Sequence, residues 1–208
     1  RSGIIVSQVN ENSELVLGLI STVGTNTDDV ISCIKDQLSK FHYQTEVINV
    51  SKDILSQFGN KQDFDSEYDR IKYYMDLGDT IRNRASDSSI LMKGVVSEIF
   101  KRRDNIVNPS PRSRIAYIIK SIKHPEEVSF LRGAYGVGFH LIGITSSSER
   151  RHHYLVDRKS FTEEQAAELL VRDENEVEGH GQHTRDAFQE SDYFIKLENE
   201  LDTMQAIY

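Results

Sequence analysis

Three near-continuous apolar runs constrain the fold of this 208-residue chain more than any other feature. They are LVLGLI (Leu15–Ile20), IAYII (Ile115–Ile119) and FHLIGI (Phe139–Ile144). Strands of a parallel sheet are covered by helices on both faces, so they carry apolar residues without the alternation of a half-exposed strand. The three runs therefore predict parallel strands at the centre of a sheet.

Two further segments predict strands, TEVINV (Thr45–Val50) and YFIKL (Tyr193–Leu197), and helical patterns lie between the five strands. Strands that alternate with helices favour right-handed crossovers and a mostly parallel sheet. The sequence therefore predicts an α/β fold with three layers and a doubly wound, mostly parallel, five-stranded sheet. Ligands of such sheets bind at the carboxyl ends of the strands.

The helices are predicted from apolar spacing and from residues that start or stop helices. An apolar stripe from Val30 to Phe41 predicts the first helix, with Asp28 or Asp29 as its N-cap. The other predicted helices are Tyr68–Arg84, Ile90–Arg103 and a proline-started helix in HPEEVSFLRGAYG that Gly136 closes. The clearest loop, Asp104–Ser113, lies between predicted elements of the same sheet, so we expect one domain over residues 1–208.

Composition excludes several classes of function. The net charge of −8 argues against broad non-specific binding of nucleic acid, which needs a basic surface. The single cysteine, Cys33, excludes an internal disulfide and a zinc site built from several thiolates. No apolar run approaches the roughly 18–20 residues that a membrane helix needs, so we expect a cytoplasmic protein without a membrane partner.

The segment STVGTNTD follows the first strand and precedes the first helix, where a phosphate-binding P-loop would lie. In the spacing G-x-x-x-x-G-K-[ST], Ser21 and Asn26 stand at the two glycine positions. Thr27 stands at the lysine and Asp28 at the hydroxyl that binds Mg²⁺. Only the internal Gly24 and the strand–turn–helix context remain, so phosphoryl transfer from this loop is not expected.

Two interpretations of this loop stay open. The carboxylates of Asp28 and Asp29 lie in the first helical turn, where they stabilise the helix and repel a phosphate. The loop is therefore either a capped turn without a ligand or a phosphate loop that no longer catalyses. Under the second interpretation, the candidate ligand-binding residues are Ser21, Gly24, Thr25, Asn26 and Thr27.

Basic residues elsewhere are candidates for phosphate binding, because arginine binds phosphate with two parallel hydrogen bonds. The segment SSSERRHHYLVDRK after the fourth strand has a solvated helix face as its alternative interpretation. Lys123 follows the third strand and Arg185 precedes the last, and these two are alternatively corner or packing residues. The candidate phosphate-binding cations are Lys123, Arg150, Arg151, Arg158 and Arg185.

No catalytic residue and no metal ligand is predicted in this chain. There is no G-x-S-x-G segment, and Cys33 lies on the apolar side of the first predicted helix. His180 and His183 are separated by two residues, but no other ligand cluster accompanies them, and zinc prefers three or four ligands. A bound nucleotide is the one cofactor that these patterns suggest.

Several stretches together resemble the N-terminal portion of the anti-phage deoxycytidylate deaminases. They are SIKHPEEVSFLRGAYGVGFHLIGITSSSERR, LLVRDENE with GQHTRDAF, and SDYFIKLEN. In that family a P-loop, nucleotide-kinase-like domain precedes a zinc-dependent deaminase domain. The resemblance implies a regulatory or nucleotide-sensing domain of an enzyme that deaminates dCTP or dCMP and so depletes deoxycytidine nucleotides during phage infection. It also implies that Arg150, Arg151 and Arg158 stand where the lid arginines of a kinase contact phosphates.

The resemblance has one clear departure. A zinc deaminase needs an H-x-E segment and a P-C-x-x-C segment, and this sequence has neither. We therefore expect zinc only in a deaminase domain that follows residue 208. The partners implied are that domain, a nucleotide and, as in some relatives, a small inhibitory RNA, and a homo-oligomer is expected.

Two other functions remain as alternatives. One is an active nucleoside or nucleotide kinase with a non-standard P-loop, in which Lys123, Arg150 and Arg151 supply the missing charge. The other is an architectural domain that mediates oligomerisation.

Overall fold

A computed structural model describes residues 14–59, 63–104, 114–175 and 181–198. The strands are β1 (Leu15–Ser21), β2 (Gln44–Asn49), β3 (Ile115–Lys120), β4 (Phe139–Ser146) and β5 (Tyr193–Leu197). The α-helices are α1 (Thr27–Lys40), α2 (Glu67–Ala85), α3 (Ile90–Asp104), α4 (Pro125–Tyr135), α5 (Ser148–His153), α6 (Glu163–Asn175) and α7 (Gly181–Gln189). Short 3₁₀ segments are Leu55–Gln57 and Gly136–Gly138, and π-helical segments are Val50–Ile54 and Tyr154–Arg158.

The five strands form one sheet with the order β2-β3-β1-β4-β5, and each pair of neighbours is parallel. Leu17 of the central strand lies beside Ile118 of β3 and His140 of β4. The three near-continuous apolar runs are thus the three inner strands, as predicted. This topology confirms the predicted α/β, P-loop nucleotide-kinase-like fold class.

Helices cover both faces of the sheet, so the fold has three layers. On one face Val16 and Ile20 of β1 pack in a cluster that includes Leu91 of α3 and Val128 of α4. On the other face Leu17 of β1 packs with residues of α1; those in the cluster are Val30, Ile31 and Ile34. Burial of each such side chain stabilises the fold by about 1.5–3 kcal/mol, which explains why the apolar runs do not alternate.

The predicted start of the first helix was wrong. Asn26, rather than Asp28 or Asp29, is the N-cap of α1, and its side-chain amide donates to the Asp29 carboxylate at 2.6 Å. Both aspartates lie inside the first turn, as expected from their charge. Phe41 does not continue the apolar stripe, because α1 ends at Lys40 and the Phe41 side chain is 63% exposed.

Other element bounds agree with the sequence to within one or two residues. The strand predicted at Thr45–Val50 is displaced by one residue, since Val50 begins a π-helical segment after β2. Helix α4 begins at Pro125, and Gly136 follows it with a φ of +53°, as predicted. Of the loop predicted at Asp104–Ser113, Asp104 ends α3 and the rest lies outside the described residues.

Membrane insertion was tested on the described helices alone. None of them has both the length and the apolar composition that a membrane-spanning helix requires.

Candidate functional site

A cavity of about 240 Å³ lies at the carboxyl ends of β1, β2 and β3, where the sequence predicts a ligand site. The turn after β1, the turns after β2 and β3, and one face of α2 form most of its wall. Of the predicted site residues, those that line it are Ser21, Gly24, Thr25, Thr27 and Lys123. The structure therefore brings half of the predicted set to one cavity.

Gly24 turns the chain between β1 and α1. Its φ of +80° lies in the left-handed region that favours glycine. A Cβ atom at this position would lie 2.9 Å from the Cβ of Arg151 and 3.0 Å from the carbonyl oxygen of Arg151. Both the backbone angle and the close approach of α5 thus require a glycine here, which explains why Gly24 alone remains from the P-loop pattern.

Asp173 of α6 holds this turn in place. Its carboxylate accepts a hydrogen bond from the backbone N–H of Val23 at 3.0 Å. The same carboxylate lies 3.6 Å from Nη1 of Arg151 and 3.7 Å from Nζ of Lys123. Its side chain is only 4% exposed, so the two cations compensate a carboxylate that has been taken out of water.

Two predicted phosphate-binding cations bind the loop backbone instead of facing only the cavity. Arg151 is buried, and its Nη1 donates to the Val23 carbonyl oxygen at 3.2 Å. Lys123 donates to the Ser21 carbonyl oxygen at 3.3 Å and still lines the cavity. Arg151 therefore supports the conformation of the turn, and Lys123 combines a supporting contact with access to a ligand.

Asp28 lies between two lysines at the start of α1. Nζ of Lys120 donates to its carboxylate at 2.5 Å, and Nζ of Lys159 lies 3.9 Å away. Burial raises the pKa of Asp28, but the hydrogen bond from Lys120 and the charges of both lysines outweigh burial and lower the pKa below its ordinary value. The Asp28 side chain is therefore an anion at the N-terminus of α1, where a phosphate would bind in a P-loop.

The α2 wall of the cavity carries paired charges. Arg70 makes two hydrogen bonds of 2.6 Å to Glu67, and these lower the pKa of the Glu67 carboxyl. Arg82 is buried and donates to Glu127 of α4 at 2.9 Å. The second oxygen of Glu127 accepts from the backbone N–H of Lys123 at 2.8 Å, so this ion pair fixes the turn after β3.

Other predicted residues lie elsewhere. Asn26, Arg150 and Arg158 line a more open depression of about 810 Å³ on the α5 side of the Gly24 turn. Arg185 is exposed on α7 and lies in the wall of neither cavity. The predicted cluster of lid arginines is thus split, with Arg151 buried and the other two on the open side. His180 and the side chain of His183 lie outside the described residues.

Sequence reasoning missed several residues of the cavity. Lys120 had a usable signal, since it directly follows the apolar run of β3 and so stands at the carboxyl edge of the sheet. Lys159 was noticed within the basic segment but was not chosen. Arg70 and Arg82 carried no signal, because a charged residue on a predicted amphipathic helix is normally solvated.

Comparison with known proteins supports the fold alone. No protein-family model and no curated protein matches the chain. Among solved structures, an uncharacterized protein from Eubacterium ventriosum ATCC 27560 is 10% identical with a TM-score of 0.47, covering 94% of this chain and 97% of that one. A gluconokinase from Sinorhizobium meliloti 1021 is 10% identical with a TM-score of 0.43, covering 92% of this chain and 88% of that one.

The chain is therefore assigned to a class by its own topology. It is an α/β protein of the P-loop kinase-like class, with a cavity at the carboxyl edge of its sheet. At 10% identity, the two solved structures support no statement about a ligand or an activity.

Proposed function

We propose that this chain is the nucleotide-sensing domain of an anti-phage dCTP/dCMP deaminase and that it binds nucleotide phosphates without transferring them. The observation that carries the binding proposal is the convergence of Lys120, Lys123 and Lys159 on one cavity beside the start of α1. Ammonium groups and a helix N-terminus both attract phosphate. Such a concentration of cations is notable in a chain whose net charge is −8.

The same cavity disfavours a kinase reaction. Thr27 stands where a P-loop has its lysine, and Asp28 stands where it has the hydroxyl that binds Mg²⁺. The Asp28 carboxylate also occupies two of the lysines. A ligand can displace this carboxylate, but the loop then lacks the groups that would stabilise a transferring phosphoryl group.

The assignment to the deaminase family rests on the sequence resemblance quoted above. Those segments lie at α4–β4, α6–α7 and β5, which include the turn after β3 and the supports of the Gly24 turn. A sensing role is consistent with a cavity that binds phosphate but does not catalyse. The expected partners are a following zinc deaminase domain and, as in some relatives, a small RNA.

Isothermal titration calorimetry with dCTP, dCMP, ATP and inorganic triphosphate tests the binding proposal. We expect saturable binding of the triphosphates, accompanied by a rise in melting temperature. Lys120→Ala combined with Lys159→Ala should weaken binding about tenfold or more, because charge-assisted hydrogen bonds are lost. Lys101→Ala, an exposed lysine of α3 outside the cavity, is the matched control.

The outcomes separate the alternatives. Absence of binding by every ligand in folded protein would overturn the proposal, and release of ADP from ATP with a nucleoside acceptor would establish the kinase alternative instead. The family assignment has its own test in the coding sequence beyond Tyr208. We expect an H-x-E segment followed by P-C-x-x-C there, and a continuation that lacks both would contradict the assignment.

A further inference from the structure

Arg82 is an incompletely satisfied donor in the wall of the cavity. Its side chain is buried, with the residue 7% exposed, and it lines the cavity from α2. Nη2 donates to Glu127 at 2.9 Å and Nη1 lies 3.6 Å from Asp79, but within the described residues Nε has no hydrogen-bond partner. A buried N–H without an acceptor is costly, so this atom points to a ligand that supplies one.

Asp79 provides an acceptor beside that donor. Its carboxylate lines the cavity one turn before Arg82 and is one third exposed. Its contact with Arg82 at 3.6 Å is an ion pair, since it is longer than a hydrogen bond. The α2 wall thus offers a donor and an acceptor next to each other.

The balance of charge on this wall excludes a phosphate. Three carboxylates, those of Glu67, Asp79 and Glu127, accompany the two guanidinium groups of Arg70 and Arg82. The wall is therefore negative on balance and repels an anion, in contrast to the three lysines near the start of α1. A neutral group with hydrogen-bonding atoms suits this wall better.

The remaining surface of this wall suits a flat ring. Apolar and aromatic side chains surround the polar pair; those that line the cavity are Leu55, Ile71, Tyr74, Met75 and Leu91. Gly78 lines the same wall, and a Cβ there would lie 3.3 Å from Nη1 of Arg82. The absence of a side chain at Gly78 keeps the space beside Arg82 open.

We infer that this α2 wall binds the base of the nucleotide and prefers a base with an exocyclic amino group next to a ring nitrogen acceptor. The amino group donates to Asp79, and the ring nitrogen accepts from Nε of Arg82. A carbonyl group in place of the amino group would face the Asp79 carboxylate with no proton between them. This inference rests on the proposed function and adds the class of base to it.

The matched ligands dCTP and dUTP test the inference, because they differ only in the amino or carbonyl group at position 4 of the base and in the protonation of the neighbouring nitrogen. Calorimetry on the 208-residue chain should give a dissociation constant about tenfold or more lower for dCTP. Asp79→Asn should reduce the preference to less than about threefold, because the amide is uncharged and presents only one acceptor. Asp76→Asn on the same helix, exposed and outside the cavity, should retain it.

Gly78→Ala provides a second test. Its methyl group should weaken dCTP binding and leave the binding of inorganic triphosphate within about twofold, since only the base reaches this wall. Equal affinities for dCTP and dUTP, tighter binding of dUTP, or an equal loss of triphosphate in Gly78→Ala would each overturn the inference. If no triphosphate binds at all, the proposed function itself fails. If both bind but equally, the proposed function stands and only the inference about the base fails.

Discussion

The Asp28 carboxylate lies 2.5 Å from Nζ of Lys120, in the first turn of α1. Lys159 approaches the same carboxylate at 3.9 Å. Free backbone N–H groups and the helix dipole favour an anion at this end of the helix. The chain thus places a side-chain anion of its own where a nucleotide phosphate would bind, so Asp28 and a phosphate compete for the same cations.

Asp28→Asn should therefore increase phosphate affinity. The substitution keeps the shape of the side chain, removes one negative charge and releases Lys120 for a ligand. We expect the dissociation constant of inorganic triphosphate to fall about tenfold, measured by calorimetry. The free energy of unfolding without ligand should fall by about 1 kcal/mol or less, because the Asp28 side chain is more than half exposed and the ion pair is screened.

Asp36→Asn is the control for this change, since it removes the same charge from an exposed position further along α1. It should leave triphosphate affinity within about twofold, because screening by salt limits the reach of exposed charges. Weaker binding by Asp28→Asn would mean that the carboxylate assists the ligand, for example by orienting Lys120, and would contradict competition.

Asp173→Asn should destabilise the fold without contact to a ligand. The amide oxygen can still accept from the Val23 N–H, but the attraction to Lys123 and Arg151 is lost at a side chain that is almost fully buried. We expect a loss of about 2 kcal/mol in the free energy of unfolding, measured by urea denaturation. Asp157→Asn, at an exposed ion pair with His153, should stay close to wild type. Equal stability of the two variants would show that the Asp173 contacts contribute nothing net.

The two neighbouring arginines should behave differently. Arg151→Ala removes the hydrogen bond to Val23 and leaves Asp173 with one cation fewer, so the free energy of unfolding should fall by about 2–3 kcal/mol. Arg150→Ala changes a half-exposed side chain at the open depression and should alter it by about 0.5 kcal/mol or less. Chemical denaturation of both variants checks this, and similar losses in the two would refute the division of roles.

The sheet was predictable because its signal is local and its physics is simple. A strand such as Phe139–Ser146 must be apolar on both faces when helices cover it, and the sequence displays this directly. Helix starts were less certain, since Asn26, Asp28 and Asp29 are all good N-cap residues and the choice among them depends on hydrogen bonds made in the fold.

The site was only partly predictable because its contacts join distant segments. Lys123 could be placed at the carboxyl edge of the sheet from its position after a strand. The partnership of Val23 with Asp173 spans 150 residues and that of Arg82 with Glu127 spans 45. Neither contact has a signature in local spacing, so Arg151 was assigned to a ligand although its partners are in the protein.

Asp87 gives the stability of the fold a specific dependence on pH. Its carboxylate accepts from the backbone N–H of Ser89 at 2.9 Å, from the Ser89 hydroxyl at 2.7 Å and from Lys93 at 2.6 Å, just before α3. The hydrogen bond from Lys93, together with those from Ser89, lowers the pKa of Asp87 to about 2. Because the folded state favours the ionised form, the stabilisation is complete above about pH 4, the ordinary range of an aspartate, and is lost as the pH falls toward 2.

Urea denaturation at pH 6 and pH 3 of wild type and Asp87→Asn measures this effect. At pH 6 the wild type should be the more stable protein, and the difference should shrink at pH 3 as the unfolded state takes up a proton that the folded state resists. Asp63→Asn, whose side chain is also exposed but makes no such contacts among the described residues, should show the same difference from wild type at both pH values. A difference between wild type and Asp87→Asn that did not change with pH would mean that the three hydrogen bonds stabilise α3 by geometry alone and not through the charge of Asp87.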